Sequence, residues 1–237
     1  MTVALVGASP VLAALRARLG AQCTLAVART TADHIAQVAD TAVLDLPAGE
    51  SREFVRALGA RNIRVLDLGP DLRIPQVPCV QFAPDGWRVA AMPSPGAVGA
   101  FFACFPLMLS DVIHPGGLVA LADAPDLGWL LGQAGQFAAV RLLQIPIPPA
   151  NATATVIGDV GNRAHDTEAI AEGYEKEGVR FCGPGIQPDV SRVKGTATVE
   201  LSVHVSEFAE FVVAICALDP VSYVAAEAFR VLRQMAA

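Results

Sequence analysis

TVALVGASPVLAALRARL, Thr2 to Leu19, decides how the rest of the chain is read. Thr2–Val6 is a β-rich run and Gly7-Ala8-Ser9-Pro10 a tight turn. Val11–Leu19 then carries apolar residues at helical spacing, with Arg16 and Arg18 on the other face. A strand that passes through a short turn into a helix opens a parallel α/β domain. The pattern recurs downstream. Cys23–Ala28 reads as strand and Thr31–Val38 as a short helix. Ala42–Leu46 is a strand, Ser51–Leu58 a helix, and Ile63–Leu68 a fourth strand. These runs of Val, Ile and Leu do not alternate, as expected of strands covered on both faces. Right-handed crossovers then build an open, doubly wound sheet.

The chain changes character after Leu72. Prolines crowd the stretch from Pro70 to Pro106, which predicts loops or edge strands. A helix is expected from Gly96 toward Leu109, kinked or ended by Pro106. Gly117–Leu121 and Val140–Ile147 are strand candidates, and Leu127–Phe137 a helix. Asp166–Glu177 reads as an acidic exposed helix. Thr196–Val205 alternates and, with Phe208–Leu218, predicts an antiparallel pair with one face buried. Val221–Met235 is the closing helix.

Composition narrows the function classes. Of 237 residues, 53% are apolar and 17% charged, which excludes a disordered chain. The net charge of −6, without a Lys/Arg cluster, argues against a nucleic-acid partner. Ala97–Leu109, the longest apolar run, is shorter than the roughly 18 residues that suggest a membrane span. Five scattered cysteines with no CxxC pair suggest neither a disulfide framework nor a zinc site, and no metal is expected. The default location is the cytoplasm, with reduced thiols. Mean hydropathy of +0.46 points either to an unusually large core or to an apolar face covered by a second copy, and a homodimer through the antiparallel sheet is expected.

Several segments, in order, resemble the N-acetyl-gamma-glutamyl-phosphate reductases within the wider aspartate-semialdehyde dehydrogenase family. VALVGAS (Val3–Ser9) is similar to that family's first strand and turn, and LDLPAGESREFV (Leu44–Val55) to its third strand and next helix. VLDLGPDLRI (Val65–Ile74) resembles its DLSADFRL stretch, the most specific match. MPSPGAVGAFFACFPL (Met92–Leu107) falls where the family has NPGCYPTA. HDTEAI (His165–Ile170), VRFCGPGIQPDVSRVKGTATV (Val179–Val199) and ALDPVSYVAAEAF (Ala217–Phe229) resemble its HxPEI, FTPHLVPMxRG and DNLVKGAAGQA elements. The chain is shorter than such reductases, mostly between Arg73 and Met92.

The resemblance implies an α/β fold: a Rossmann-like doubly wound parallel sheet plus a second α+β domain with an antiparallel sheet, closed by a C-terminal helix. Residues 1–96 with 217–237 would form the dinucleotide-binding-type domain, and 97–216 the catalytic and dimerisation-type domain. It also implies an NADP-dependent acyl-phosphate reductase, in which a cysteine thiolate attacks, phosphate leaves and NADPH reduces the thioester. Against that chemistry, Pro95 or Ala97 takes the nucleophile position. Pro10 and Ala13 replace glycines of the cofactor loop, Tyr223 replaces a lysine, and Arg163 replaces the first histidine of HRH. The expected protein is a degenerate reductase that binds a small acyl or amino-acid ligand or a partner protein. The alternative is an active NADPH-dependent reductase or a thiol-free acid/base enzyme.

Gly7 and Ser9 are the candidates for holding a cofactor phosphate at the helix start, and Arg29 for a 2′-phosphate, against a plain turn and a solvated arginine. NADP binding is expected to be weak, because Pro10 has no N–H and Ala13 adds a Cβ where the helix must pack closely. His165 with Glu168 is the candidate acid/base pair, against a helix-start feature. Ser94 is a candidate substitute nucleophile, against a turn-stabilising hydroxyl. Cys182 is a candidate relocated thiol, against a buried structural cysteine. An Asp71–Arg73 pair is expected to fix a loop, and His204 to lie at a surface or interface.

Overall fold

We describe the protein from a computed structural model. It covers residues 1–84, 86–109, 119–134, 141–144, 152–159, 179–183, 186–205 and 211–236. Close contacts divide the chain into two compact units, Met1–Ser94 with Val224–Ala237, and Pro95–Tyr223.

The first unit is built on five parallel strands in the order β2-β1-β3-β4-β5. They are β1 (Val3–Gly7), β2 (Cys23–Val27), β3 (Thr41–Asp45), β4 (Arg64–Asp67) and β5 (Val89–Ala91). Helices α1 (Pro10–Leu19), α2 (Ala32–Val38) and α3 (Ser51–Gly59) connect the first four. β1 and β3 are buried along nearly their whole length, as their unbroken apolar runs require. β2 differs. It is an edge strand and half-exposed, because it has a neighbour on one side only. The short β5 was hidden in the proline-rich stretch, where prolines sit on either side of it and it forms the opposite edge.

The start signals of the helices are local. Ser9 caps α1 by accepting the Leu12 N–H at 3.2 Å, and Pro10 fills the first helical position, where a missing N–H costs nothing. Thr31 caps α2 through the His34 N–H. The reversal between β1 and β3 places the topological switch point beside the β1–α1 turn, where open α/β sheets offer their ligand crevice.

The second unit carries a mixed six-stranded sheet in the order β7-β6-β8-β11-β10-β9. Its strands are β6 (Val119–Ala122), β7 (Arg141–Gln144), β8 (Ala152–Asp159), β9 (Val179–Phe181), β10 (Val199–Val205) and β11 (Phe211–Leu218). β10–β11, β11–β8 and β8–β6 pair antiparallel, while β6–β7 and β10–β9 pair parallel. α4 (Pro95–Leu109) lies across β8 and β11 and against α5 (Leu127–Gln133). α4 is apolar on every side and accordingly buried at Ala97, Val98, Ala100, Phe101, Ala103 and Cys104. It continues through Pro106 to Leu109. A last helix spans Pro220–Ala236. Among the described residues no helix is long and apolar enough to cross a membrane.

One expectation about β10 needs correction. Its alternation does not mark one wet face, since Val199, Glu200, Leu201, Ser202 and Val203 are all buried. β10 is an interior strand between β9 and β11, so its polar residues are enclosed as well. His204 is only half-exposed, with Nε2 enclosed and without a hydrogen-bond partner. The acidic helix expected at Asp166–Glu177 lies outside the described residues.

Candidate functional site

The β1–α1 turn forms an open cleft of about 260 Å³. Its walls are the turn Gly7–Ser9, Leu12, Ala13 and Arg16 of α1, and the end of β2 at Ala26–Ala28. Gly7 is required by the backbone. Its φ is +139°, and a Cβ there would stand 2.3 Å from the Asp45 carbonyl oxygen of β3. Few backbone donors remain at the helix start. Pro10 has no N–H, Leu12 N–H is capped by Ser9, and Ala13 N–H closes onto the Ser9 carbonyl. Val11 N–H is the first-turn donor left over. The Ser9 hydroxyl is thus spent on the helix cap.

Ala13 departs from expectation. It does not press on the sheet; it is exposed and lines the cleft. Its methyl narrows the ligand space and leaves helix packing untouched. Arg29 follows β2 and is 82% exposed, with Nη2 3.5 Å from a Glu50 carboxylate oxygen. The nearby Glu50 offsets its charge, and the pair is an exposed one.

A second polar cluster sits at the carboxyl ends of β3 and β4. Asp67 ends β4 and is fully buried. Burial pushes its carboxyl up to about 6, although the Ser51 hydroxyl and the Gly69 N–H donate to it. One of its oxygens, Oδ2, is enclosed and has no hydrogen-bond partner. Asp71 accepts the N–H groups of Gly49 and Ser51, at 2.8–2.9 Å, and so fastens the loop before α3. Arg73 donates to the carbonyls of Leu68 and Met92, both at 2.9 Å. Each residue holds a loop, but through backbone groups and not through the Asp71–Arg73 pair that was expected.

In the second unit, α4 opens with Pro95, Gly96 and Ala97, and Ala97 is buried. A Cβ on Gly96 would stand 2.0 Å from the Asp123 carbonyl oxygen, so this turn is tightly packed. Farther along α4, burial pushes the Cys104 thiol up to about 12. Burial likewise pushes Cys216 far up and raises Cys182. Such thiols stay protonated and unreactive near neutral pH. Tyr223, at the lysine position, is buried with its ring edge-on to Phe102.

Cys182 belongs to a charged cluster that the sequence did not reveal. Glu200, 2% exposed, accepts from Arg180, from Arg192 at 2.9 Å and from the Asp189 N–H at 3.1 Å. Burial opposes ionisation of Glu200, but these donors outweigh it and hold the carboxyl down at about 2. Arg192 and Arg180 lie near the Cys182 sulfur and favour its ionised form, while burial and the Glu200 charge push the thiol up on balance. The signal in sequence was a glutamate inside a strand with two arginines nearby in the chain, and the alternating pattern masked it. Ser94, just before α4, is half-buried. His165 and Glu168 lie outside the described residues. Among the described residues no group of three or more His, Cys, Asp or Glu is placed to hold a metal ion.

No protein-family model matches the chain. An N-acetyl-gamma-glutamyl-phosphate reductase of Rhodopirellula baltica is 30% identical over 102 residues, which is 43% of this chain and 28% of that protein. The matched segment thus spans well under half of the relative's length. Among solved structures, aspartate semialdehyde dehydrogenase II from Vibrio cholerae superposes with a TM-score of 0.76 at 11% identity, over 99% of this chain and 98% of that one. A probable aspartate-semialdehyde dehydrogenase from Pseudomonas aeruginosa gives 0.76 at 14% identity, over 100% and 98%. The chain resembles this reductase and dehydrogenase family in part of its sequence, and it has their fold over its whole length.

Proposed function

We propose that the chain keeps the fold of these reductases as a binding scaffold and has given up thiolate-dependent reduction of acyl phosphates. The observation that carries this reading is the start of α4, where Pro95, Gly96 and buried Ala97 offer no nucleophile. The covalent route needs a thiolate beside the carbonyl, since a thioester accepts hydride where an acyl phosphate does so poorly. Cys104 lies in the same helix but is buried and neutral. In this reading residues 1–96 with 217–237 act as the dinucleotide-type domain, and 97–216 as the former catalytic and dimerisation domain. The ligand is a small acyl or amino-acid molecule or a partner protein, in the cytoplasm, and NADP is held weakly at best. The scarce backbone donors at the start of α1 support that weakness. Calorimetry is expected to show no NADPH binding tighter than high micromolar, and submicromolar binding would reverse this.

One observation favours a second reading, that of an active reductase with a relocated thiol. Arg192 and Arg180 lie near Cys182, and guanidinium charge beside a sulfur favours thiolate, against the upward push of burial. A thiol-free enzyme using His165 and Glu168 is its variant. The test is NADPH oxidation with N-acetyl-glutamyl phosphate, on wild type and on Cys182→Ser and His165→Ala. No turnover in any of them is expected. Robust wild-type turnover lost on Cys182→Ser or His165→Ala would replace the scaffold reading with an enzyme.

A further inference from the structure

We propose that Asp67 is a proton-operated latch on the start of α3: while its carboxyl is protonated, Ser51 and the turn at residues 47–50 are held closed, and loss of that proton releases them to water. The proposal goes beyond the scaffold reading and does not depend on it.

Two carboxyl groups meet at Ser51. α3 has no side-chain cap of its own, since Glu50 at the cap position makes no capping hydrogen bond. The turn before it is exposed at Pro47, Ala48, Gly49 and Glu50. Asp71 holds it from outside by accepting the N–H groups of Gly49 and Ser51. From inside, the Ser51 hydroxyl donates to Asp67 Oδ1 at 3.1 Å. One residue thus ties an exposed carboxylate and a buried carboxyl to the same helix start.

The buried side has no provision for a negative charge. Asp67 Oδ2 is enclosed without a partner, whereas an ionised carboxylate has about four acceptor sites to fill. Its register neighbours, Leu44 on β3 and Ala91 on β5, bring no charge. Gly69 closes in tightly, since a Cβ there would stand 3.0 Å from the Leu46 carbonyl oxygen and 3.4 Å from Asp67 Oδ1. Of the charges that bear on Asp67, Arg73 favours ionisation and Asp71 opposes it. Arg73 also donates to the carbonyls of Leu68 and Met92, and Arg52 of α3 to that of Asp71. Glu53, in the first turn of α3, is exposed. Ionised, Asp67 lacks donors at Oδ2 and repels Asp71 across Ser51. Opening the turn brings water to the first problem and distance to the second. Burial has placed the closed carboxyl at about 6, against 3.8 for a hydrated one. Opening therefore becomes easier as pH rises from about 4 to 6 and is constant above.

Amide exchange followed by NMR, corrected for its intrinsic pH dependence, reads the latch at the Gly49 and Ser51 N–H groups. Between pH 5 and 7.5 their protection should fall roughly tenfold in wild type. In Asp67→Asn it should not change with pH. Ser51→Ala keeps both amides but removes a donor that favours ionised Asp67. The pH at which protection stops falling should then move above 6. This second variant tests the latch even if Asp67→Asn does not fold. Low urea separates local opening from unfolding, because only unfolding exposes enough surface to respond. Exchange at Gly49 and Ser51 should ignore urea while exchange in β1 rises with it. Equal protection at pH 5 and 7.5 would overturn the proposal. So would a fall that persists in Asp67→Asn, an unmoved profile in Ser51→Ala, or a urea response shared with β1. The scaffold reading fails separately, on NADPH oxidation.

Discussion

Asp67 shows how one side chain can matter to stability in a way that its sequence neighbours do not announce. It ends β4 fully buried, with Ser51 on one oxygen and nothing on Oδ2, and the charges near it are Asp71 and Arg73. Unfolded, its carboxyl titrates near 3.8; folded, burial raises it to about 6. The native state therefore takes up a proton on folding between these values. The stability it contributes is full below about pH 4, declines as pH rises through 6, and is flat above. The decline is on the order of 3 kcal/mol. Asp67→Asn is expected to flatten the stability profile between pH 4 and 6 and to raise the melting midpoint at pH 7.5. Thermal melts across that range check it, and an unchanged slope would refute it. In the sequence Asp67, Asp71 and Arg73 fall within one stretch, Val65–Ile74, that resembles a family motif. Which of them is buried was not legible, since that depends on where α3 and β4 meet. The same limit applied to Ala13, whose exposure follows from the angle of α1 and not from its place in a motif.

At the level of elements, the first four strands and their helices were legible because each obeys its own local chemistry. Caps at Ser9 and Thr31 and unbroken apolar runs at β1 and β3 leave little ambiguity. β8 was not foreseen, β9 was implied only by the family resemblance of the segment from Val179, and β10 was misread. A period of two says that side chains alternate, but it does not say that one face is wet. In β10 the charge on one face is neutralised in place, by Arg180 and Arg192 around Glu200. The carboxyl is held at about 2, against 4.5 for an ordinary glutamate. Its contribution to stability is present above pH 4.5 and is lost as pH falls toward 2, the opposite direction from Asp67. Glu200→Gln leaves both arginines without their carboxylate and should lower the melting midpoint at pH 7 by roughly 5 °C. It should also remove the acid loss between pH 4.5 and 2. A midpoint within about 1 °C of wild type would mean that the cluster contributes nothing measurable.

The whole molecule was read from composition as a chain with more apolar residues than one subunit needs. The described residues answer part of that excess. Their large apolar side chains are buried or half-buried apart from Phe82 and Ile186, which are 39% and 50% exposed. A large core therefore accounts for much of the hydropathy. What still favours a second copy is one face of the β10–β11 pair. His204 stands opposite Val213 and Ser202 opposite Ile215, so these four share a face. His204, Val213 and Ile215 are each half-exposed, and Ser202 Oγ and His204 Nε2 lack hydrogen-bond partners. A half-exposed stripe of His204, Val213 and Ile215 on an otherwise buried strand pair is a surface that a symmetric copy would cover. We therefore expect light scattering at micromolar concentration to report twice the 24.7 kDa chain mass. Ile215→Glu places a charge on the same face and should shift the population to monomer while circular dichroism stays native. If wild type runs as a monomer, or if Ile215→Glu stays a dimer, this face is not the interface.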